Sequence, residues 1–243
     1  MKLEVKDVSA AFGGKKVLED IQIHLEEGEL VSLLGASGVG KTTLFHVIAG
    51  LMMPDTGSVW LEGEEITGRP GKISYMLQKD MLLPYKTVLD NVALPLQIKK
   101  KGRRTARQEA KQYFGEFGLE GYEEKYPSQL SGGMRQRAAL LRTYLFSSEV
   151  ALLDEPFSAL DAMTKSAMHE WYLSVMERIH LSTLLITHDM DEAILLSDRI
   201  YILAGKPGKI RAEIHINREK PRDSDFMLTE EFLFYKKQIM ELI

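Results

Sequence analysis

Apolar positions in this chain fall into short runs separated by longer stretches with helical spacing. Leu3, Val5 and Val8 predict a first strand. Val17-Leu18, followed by Ile21, Ile23 and Leu25, alternates with the period of two that marks a second. Gly28 turns the chain into Leu30-Val31-Ser32-Leu33-Leu34, an apolar run that enters a glycine-rich turn. Thr43-Leu44-Phe45-His46-Val47-Ile48-Ala49 then has helical spacing. Pro54-Asp55-Thr56-Gly57 reads as a turn, Val59-Trp60-Leu61 as a short strand bent at Gly63, and Lys72 to Leu77 as a strand ending at Gln78. Met81-Leu82-Leu83-Pro84-Tyr85 reads as an apolar loop, either packed on the core or offered to a partner.

From Thr87 the pattern turns helical. Thr87 and Asp90 have capping-box spacing ahead of Val88, Leu89, Val92 and Ala93. A basic connection, Lys99 to Arg104, reads as solvated surface. It leads to a helix carrying Ala106, Ala110, Tyr113, Phe114 and Phe117, stopped by Gly118. Leu130-Ser131-Gly132-Gly133-Met134 opens another helix, with Ala138, Leu141 and Leu145 on one face. Val150-Ala151-Leu152-Leu153 is fully apolar, as a buried parallel strand should be, and ends at Asp154-Glu155-Pro156. Ser158-Ala159-Leu160-Asp161 forms a turn before a helix carrying Met168, Trp171, Tyr172, Val175 and Ile179. Thr183 to Thr187 is a strand ending at His188. A short helix from Met190 to Ser197, the strand Ile200 to Leu203 and the alternation Ile210, Ala212, Ile214, Ile216 come next. Asn217 to Asp225 reads as a polar linker to an amphipathic helix carrying Phe232, Tyr235, Ile239 and Leu242. The organisation expected is one domain over 1–216, with an α/β core over 1–86 and 141–216, a helical insert over 87–140, and a linker and terminal helix over 217–243.

The glycine-rich turn has a chemical reading. In Gly35-Ala36-Ser37-Gly38-Val39-Gly40-Lys41-Thr42, the glycines let successive N–H groups curl around phosphate oxygens at a helix N-terminus. Lys41 can reach the outer phosphates and the Thr42 hydroxyl can bind Mg²⁺. Gln78, Asp154-Glu155 and His188 each come after an apolar strand, as this loop does, and ligand-binding groups of parallel sheets collect at such ends. Asp154 fits a Mg²⁺-holding carboxylate, Glu155 a base that polarises the attacking water, and His188 a sensor of the γ-phosphate. Ser131, Gly132 and Gly133 at a helix start make a second anion site, which makes most sense facing a neighbour's phosphate loop. Phe12, before Gly13-Gly14, reads on its own as a core or turn aromatic.

Composition narrows the class. The 243 residues carry a net charge of -4, which gives no general attraction to nucleic acid, and they include no cysteine. The start shows no signal-peptide pattern, and no apolar run approaches the ~20 residues that span a bilayer. A soluble protein is expected, and any membrane role must come through a partner.

In order and spacing, the phosphate loop, Gln78, LSGGM, ALLDEP, SALD and His188 resemble the nucleotide-binding subunit of an ABC transporter over essentially the whole chain. The resemblance implies an α/β fold: a phosphate-loop NTPase core with a mainly parallel sheet, an antiparallel β subdomain and an inserted helical subdomain. It implies ATP and Mg²⁺ as cofactors and ATP hydrolysis as the activity. Phe12 would stack on adenine, and Gly35 through Thr43, including Ala36, Ser37 and Val39, would wrap the phosphates. Thr42, Gln78 and Asp154 would serve the metal, and Gln78, Glu155 and His188 the chemistry. Ser131, Gly132 and Gly133 would be the signature loop, with Met134 where Gln is commoner, and Asp161 the acid of the dimer interface. The partners implied are a second copy, joined head to tail across ATP, a separate membrane permease and, indirectly, an extracytoplasmic binding protein. The place implied is the cytoplasmic side of the plasma membrane. Thr143 after Arg142, and Ser147-Ser148-Glu149 before the Asp154 strand, depart from the family pattern away from the chemistry. Tyr75 through Val88, Pro156 through Asp161, Asp189 through Ala193 and Ser197 through Arg199 look like the nitrate, sulfonate and taurine importer branch, which also holds importers of thiamine pyrimidine precursors. A soluble ABC-type ATPase serving another assembly, or a subunit from another substrate branch, is the alternative.

Overall fold

The buried strands form where the apolar runs lie. In the computed structural model, which describes residues 1–243 apart from 148, 221, 223 and 224, the chain runs β1 (Leu3–Phe12), β2 (Lys15–Leu25), β3 (Leu30–Leu34), α1 (Lys41–Ile48), β4 (Thr56–Leu61), β5 (Glu64–Glu65), β6 (Ser74–Met76), α2 (Val88–Val92), α3 (Leu94–Ile98) and α4 (Arg103–Lys111). It continues through α5 (Gly132–Phe146), β7 (Val150–Asp154), α6 (Ala162–Ile179), β8 (Ser182–Thr187), α7 (Met190–Leu196), β9 (Arg199–Ala204), β10 (Lys209–His215) and α8 (Glu230–Met240). β3, β7 and β8 are buried at every residue. That is why their sequences lack the polar alternation seen in β2.

Among the described residues the strands make two sheets. One is antiparallel, in the order β2-β1-β4-β5; the other has the order β10-β9-β3-β8-β7-β6. In the larger sheet every neighbouring pair is parallel except β9 with β10. Alternate residues face opposite layers. Val31, Leu33, Leu152, Leu184 and Ile186 join α1 and the antiparallel sheet in one core, while Leu30, Leu34, Ala151, Leu153 and Leu185 join the later helices in a larger one. Helix α1 therefore lies between two sheets, and its leading loop is clamped by both.

The helical side begins as its sequence suggests. Thr87 caps α2 by accepting from the Asp90 N–H at 3.1 Å. The Asp90 carboxylate itself turns to Arg107 and Arg103, at 2.7 and 3.1 Å. Burial alone would push that carboxyl up, but the arginine hydrogen bonds outweigh it and hold the group below the ordinary carboxylate range. The basic run is solvated, with Lys101 paired to Glu109.

Three expectations change and one open reading is narrowed. Helix α4 stops at Lys111 rather than near Phe117, because the next N–H groups bond three residues back and tighten the chain into turns. Phe114 and Phe117 are buried all the same, and Gly118 ends the segment at φ +63°. The strand expected over 72–77 shortens to Ser74–Met76, an edge strand that among the described residues pairs only with β7. In the apolar loop, Leu82 belongs to the larger core while Met81 and Tyr85 stay exposed. The stretch expected to be a polar linker, of which residues 221, 223 and 224 lie outside the described residues, holds a buried Arg222. Its guanidinium donates to the carbonyls of Ile194 at 2.8 Å and Ser197 at 2.6 Å. These carbonyls belong to the end of α7 and its cap, which have no partners within the helix, so a single arginine ties the segment down. Phe232, Tyr235 and Ile239 then dock α8 into the larger core.

Candidate active site

Parallel pairing brings the functional strand ends to one edge. Leu34 lies opposite Thr187, Met76 opposite Leu153, and Asp154 opposite Ile186. The loop after Leu34, Gln78, Asp154-Glu155 and His188 therefore share one rim.

The loop from Gly35 to Gly40 turns directly into α1. Gly40 sits at φ +115°, and a Cβ there would also lie 2.7 Å from Leu18 Cδ2. At Gly35 a Cβ would lie 2.3 Å from the Leu203 carbonyl oxygen, a backbone atom that cannot move aside cheaply. Val39 is buried and fills the smaller core, while Ala36 and Ser37 are exposed. Lys41 is buried, and its Nζ donates to the Gly35 and Ala36 carbonyls at 2.7 and 3.0 Å. Burial pushes the ammonium below its usual range, against the pull of Glu155 and Asp154.

Thr42 Oγ1 lies 3.3 Å from Asp154 Oδ2, and the Tyr75 hydroxyl donates to the same oxygen at 3.2 Å. Burial raises the Asp154 carboxyl, and these two hydrogen bonds oppose the rise. Glu155 accepts from Gln78 Nε2 at 3.2 Å through Oε2, and His188 Nδ1 lies 3.1 Å from its Oε1. Its backbone stands at φ +46°, a left-handed conformation that non-glycine residues avoid, and its N–H donates to the Ile186 carbonyl at 3.0 Å.

Two cavities meet here. The first, about 310 Å³, is lined by the phosphate-loop residues Ser37, Gly38 and Gly40 to Thr43, with Val17, Gln78, Asp154 and Glu155. The second, about 720 Å³, is bounded by Gln78 and Glu155 as well, and adds His188, Gly132, Arg135 and Leu160. Ser131 caps α5 by accepting from the Met134 N–H at 3.3 Å, and Asp161 caps α6 by accepting from Thr164. Both are exposed. Neither they nor Phe12, which is 77% exposed at the tip of the β1–β2 hairpin, are among the described residues lining the first cavity. Sequence reading passed over Tyr75 and Val17. Tyr75 stood within the strand whose last position was singled out, but nothing in one sequence says which way a short edge strand turns its side chains.

The ABC transporter family profile matches residues 18–158, from the start of the β2 apolar run to the turn after Glu155. This chain belongs to the ABC transporter family. As an ABC-type ATPase subunit it is 46% identical over 206 residues to the formylaminopyrimidine import ATP-binding protein ThiZ of Halalkalibacterium halodurans, covering 84% of this chain and 80% of that one. It is 38% identical over 244 residues to the nitrate import ATP-binding protein NrtD of Synechocystis, covering 97% and 92%. An aliphatic sulfonates import ATP-binding protein, SsuB of Bacillus cereus, is 38% identical over 245 residues, covering 99% and 95%. Among solved structures, a dimeric ATP-binding cassette in a post-hydrolysis state with ADP and Pi superposes with a TM-score of 0.73 at 28% identity, covering 89% of this chain and all of that one. The ABC ATPase fold expected from the motifs is the fold observed.

Proposed function

We propose that this ABC-family ATPase binds ATP in the cavity lined by Ser37, Gly38 and Gly40 to Thr43 and hydrolyses it there to drive solute import through a separate permease, on the cytoplasmic face of the membrane. Lys41 holds the outer phosphates. Glu155 takes the proton of the attacking water, and His188 orients Glu155 and the phosphate. The donor set suits Mg²⁺, which is commonly held by one or two carboxylates plus substrate phosphates and water. Thr42 and Asp154 supply hard oxygens 3.3 Å apart, Gln78 lines the same cavity, and the described residues include no cluster of three His, Cys, Asp or Glu that would cage a metal alone. When bound, the metal would offset phosphate charge. The solute belongs to the chemistry of the relatives: a sulfonate, nitrate or a pyrimidine precursor of thiamine.

The observation that carries the dimeric reading is the separation of the two anion-binding loops. Ser131 and Gly132 are not among the described residues lining the phosphate-loop cavity, and a head-to-tail pair lets each cover the other copy's ATP, with Asp161 at the contact and Phe12 against adenine. In this reading residues 87–140 act as a helical subdomain and α8 closes the chain. Glu155→Gln keeps shape and hydrogen-bonding size and should slow turnover by ~10²–10⁴-fold. At saturating Mg-ATP that variant should run at twice the monomer mass. A monomer under those conditions counts against the sandwich.

The permease fits an apolar cavity of about 320 Å³ between core and helical side, lined by Leu51, Ile73, Leu94, Pro95, Ile98 and Phe146, where Leu51 and Ile98 are exposed. This cavity is preferred to the loop Met81-Leu82-Leu83 beside Gln78, where Leu82 is committed to the core.

A further inference from the structure

Tyr75 belongs to two sites at once. Its half-buried ring lines the apolar cavity with Leu51, Ile73 and Leu94, while its hydroxyl donates to Asp154 Oδ2 on the wall of the phosphate-loop cavity. The ring has little freedom, because Phe45 and His46 of α1 meet it edge-on, each with centroids 5.9 Å away. The two hydroxyls that bond Asp154 Oδ2 differ in origin. Thr42 rides on α1 with the phosphate loop, whereas Tyr75 rides on β6 beside the groove. The same groove wall includes Arg142, whose guanidinium donates to the Asp80 and Met81 carbonyls just beyond Gln78. One face of the groove is thus wired to both loops of the catalytic rim.

A carboxylate that must present an oxygen to a cation depends on the hydrogen bonds that set its rotamer. A body entering the groove touches the tyrosine ring, and any shift of that ring is felt at Asp154. We propose that Tyr75 is the positioning residue for Asp154 and that it couples occupancy of the apolar groove to the metal-holding carboxylate. The proposal rests on reading Asp154 as the metal carboxylate of an ATP site. Coupling of this kind is reciprocal, so metal binding at Asp154 must in turn change the groove.

The test uses the full chain and Tyr75→Phe, which keeps the ring and removes only the hydroxyl. With Mn²⁺ as the probe and ATP saturating, free metal followed by electron paramagnetic resonance should show affinity weakened about 10-fold. ATP affinity in EDTA should be unchanged, which also certifies the fold. For the groove, Ile98→Trp places a reporter on an exposed wall position, with Trp60 and Trp171 giving the baseline in the parent. Adding Mg²⁺ to the ATP complex should shift reporter emission when residue 75 is Tyr and not when it is Phe. Unchanged Mn²⁺ affinity in Tyr75→Phe overturns the inference alone. So does an emission response that is the same with either residue. Failure of the wild-type chain to bind ATP overturns the ATP-site reading together with the inference.

Discussion

The molecule has two glycine-rich turns that precede helices, and they are built on opposite plans. The loop before α1 is enclosed at its base, though Ala36 to Gly38 at its tip are exposed: Gly38 and Gly40 take φ of +77° and +115°, Lys41 is buried, and Gly35 and Gly40 lie against Leu203 and Leu18 of the two sheets. The loop before α5 is open. Ser131 is exposed and caps its own helix, and the glycine beside it, Gly132, has only Leu160 Cδ2 at 3.4 Å and Arg135 Nη2 at 4.0 Å near its would-be Cβ. Gly133 matters for packing, since a Cβ there would reach Thr164 and Met168 of α6 at 3.4 and 3.5 Å. The two loops therefore do not duplicate one function. In the proposed function the first is a cradle fixed by its own fold, and the second is a surface that becomes a site only when something is laid against it.

The enclosed loop carries the largest expected effect. Lys41→Ala should weaken ATP binding by roughly 10²-fold, the worth of a hydrogen bond to a charged group, and hydrolysis should go with it. Nucleotide titration measures the first and phosphate release the second; unaltered values for both would remove Lys41 from the site. At the open loop the expected result has the opposite form. Ser131→Arg, placed in the Glu155→Gln background, should return the ATP-bound dimer to monomer while the monomer's own ATP affinity stays within about twofold, since its cradle is untouched. Mixing the two lesions separates cradle from cap. A chain with Lys41→Ala and a chain with Ser131→Arg, each also Glu155→Gln, should fail to dimerise alone, yet pair with one another, because the mixed pair retains one sound cradle facing one sound cap. Absence of that mixed dimer by mass counts against the head-to-tail arrangement.

The smallest effect concerns the support behind the open loop. Asp90→Asn leaves Arg103 and Arg107 without their shared carboxylate and should cost about 2 kcal/mol at neutral pH. It should also raise hydrogen exchange in α2 and α4 more than in α1. The folded-state carboxyl is held below its unfolded value, so this stabilisation is complete above the unfolded value near 4 and fades as pH falls through the lower, folded one. The thermal midpoints of wild type and variant should therefore converge only in acid. Convergence at neutral pH would show that the pair contributes nothing.

Much of the fold and the rim was legible in the sequence, for an identifiable reason. Strands such as Leu30–Leu34 and Val150–Asp154 are buried on both faces, so their apolar runs are unbroken, and the functional edge begins where each of them ends. Parallel topology then delivers Gln78, Asp154, Glu155 and His188 to one rim without further information. The features that stayed hidden depend on contacts between distant segments. Leu82 looks like any exposed loop leucine until the core it enters is known, and Arg222 looks like linker until the end of α7 is found beneath it. The Asp90 pairs are of the same kind: capping spacing located the residue, but its carboxylate answers to arginines 13 and 17 positions later. The edge strand β6 is only three residues long, too short for alternation to reveal that Tyr75 reaches Asp154.

One backbone angle has a consequence for how this protein can change over time. Glu155 occupies φ +46°, where an ordinary side chain costs on the order of 1–3 kcal/mol and glycine almost nothing. With Glu155 as the proposed base, resistance to heat and speed of turnover therefore favour different residues at position 155. A lineage released from the need to hydrolyse ATP, yet still required to stay folded, would find substitution toward glycine or asparagine there nearly free.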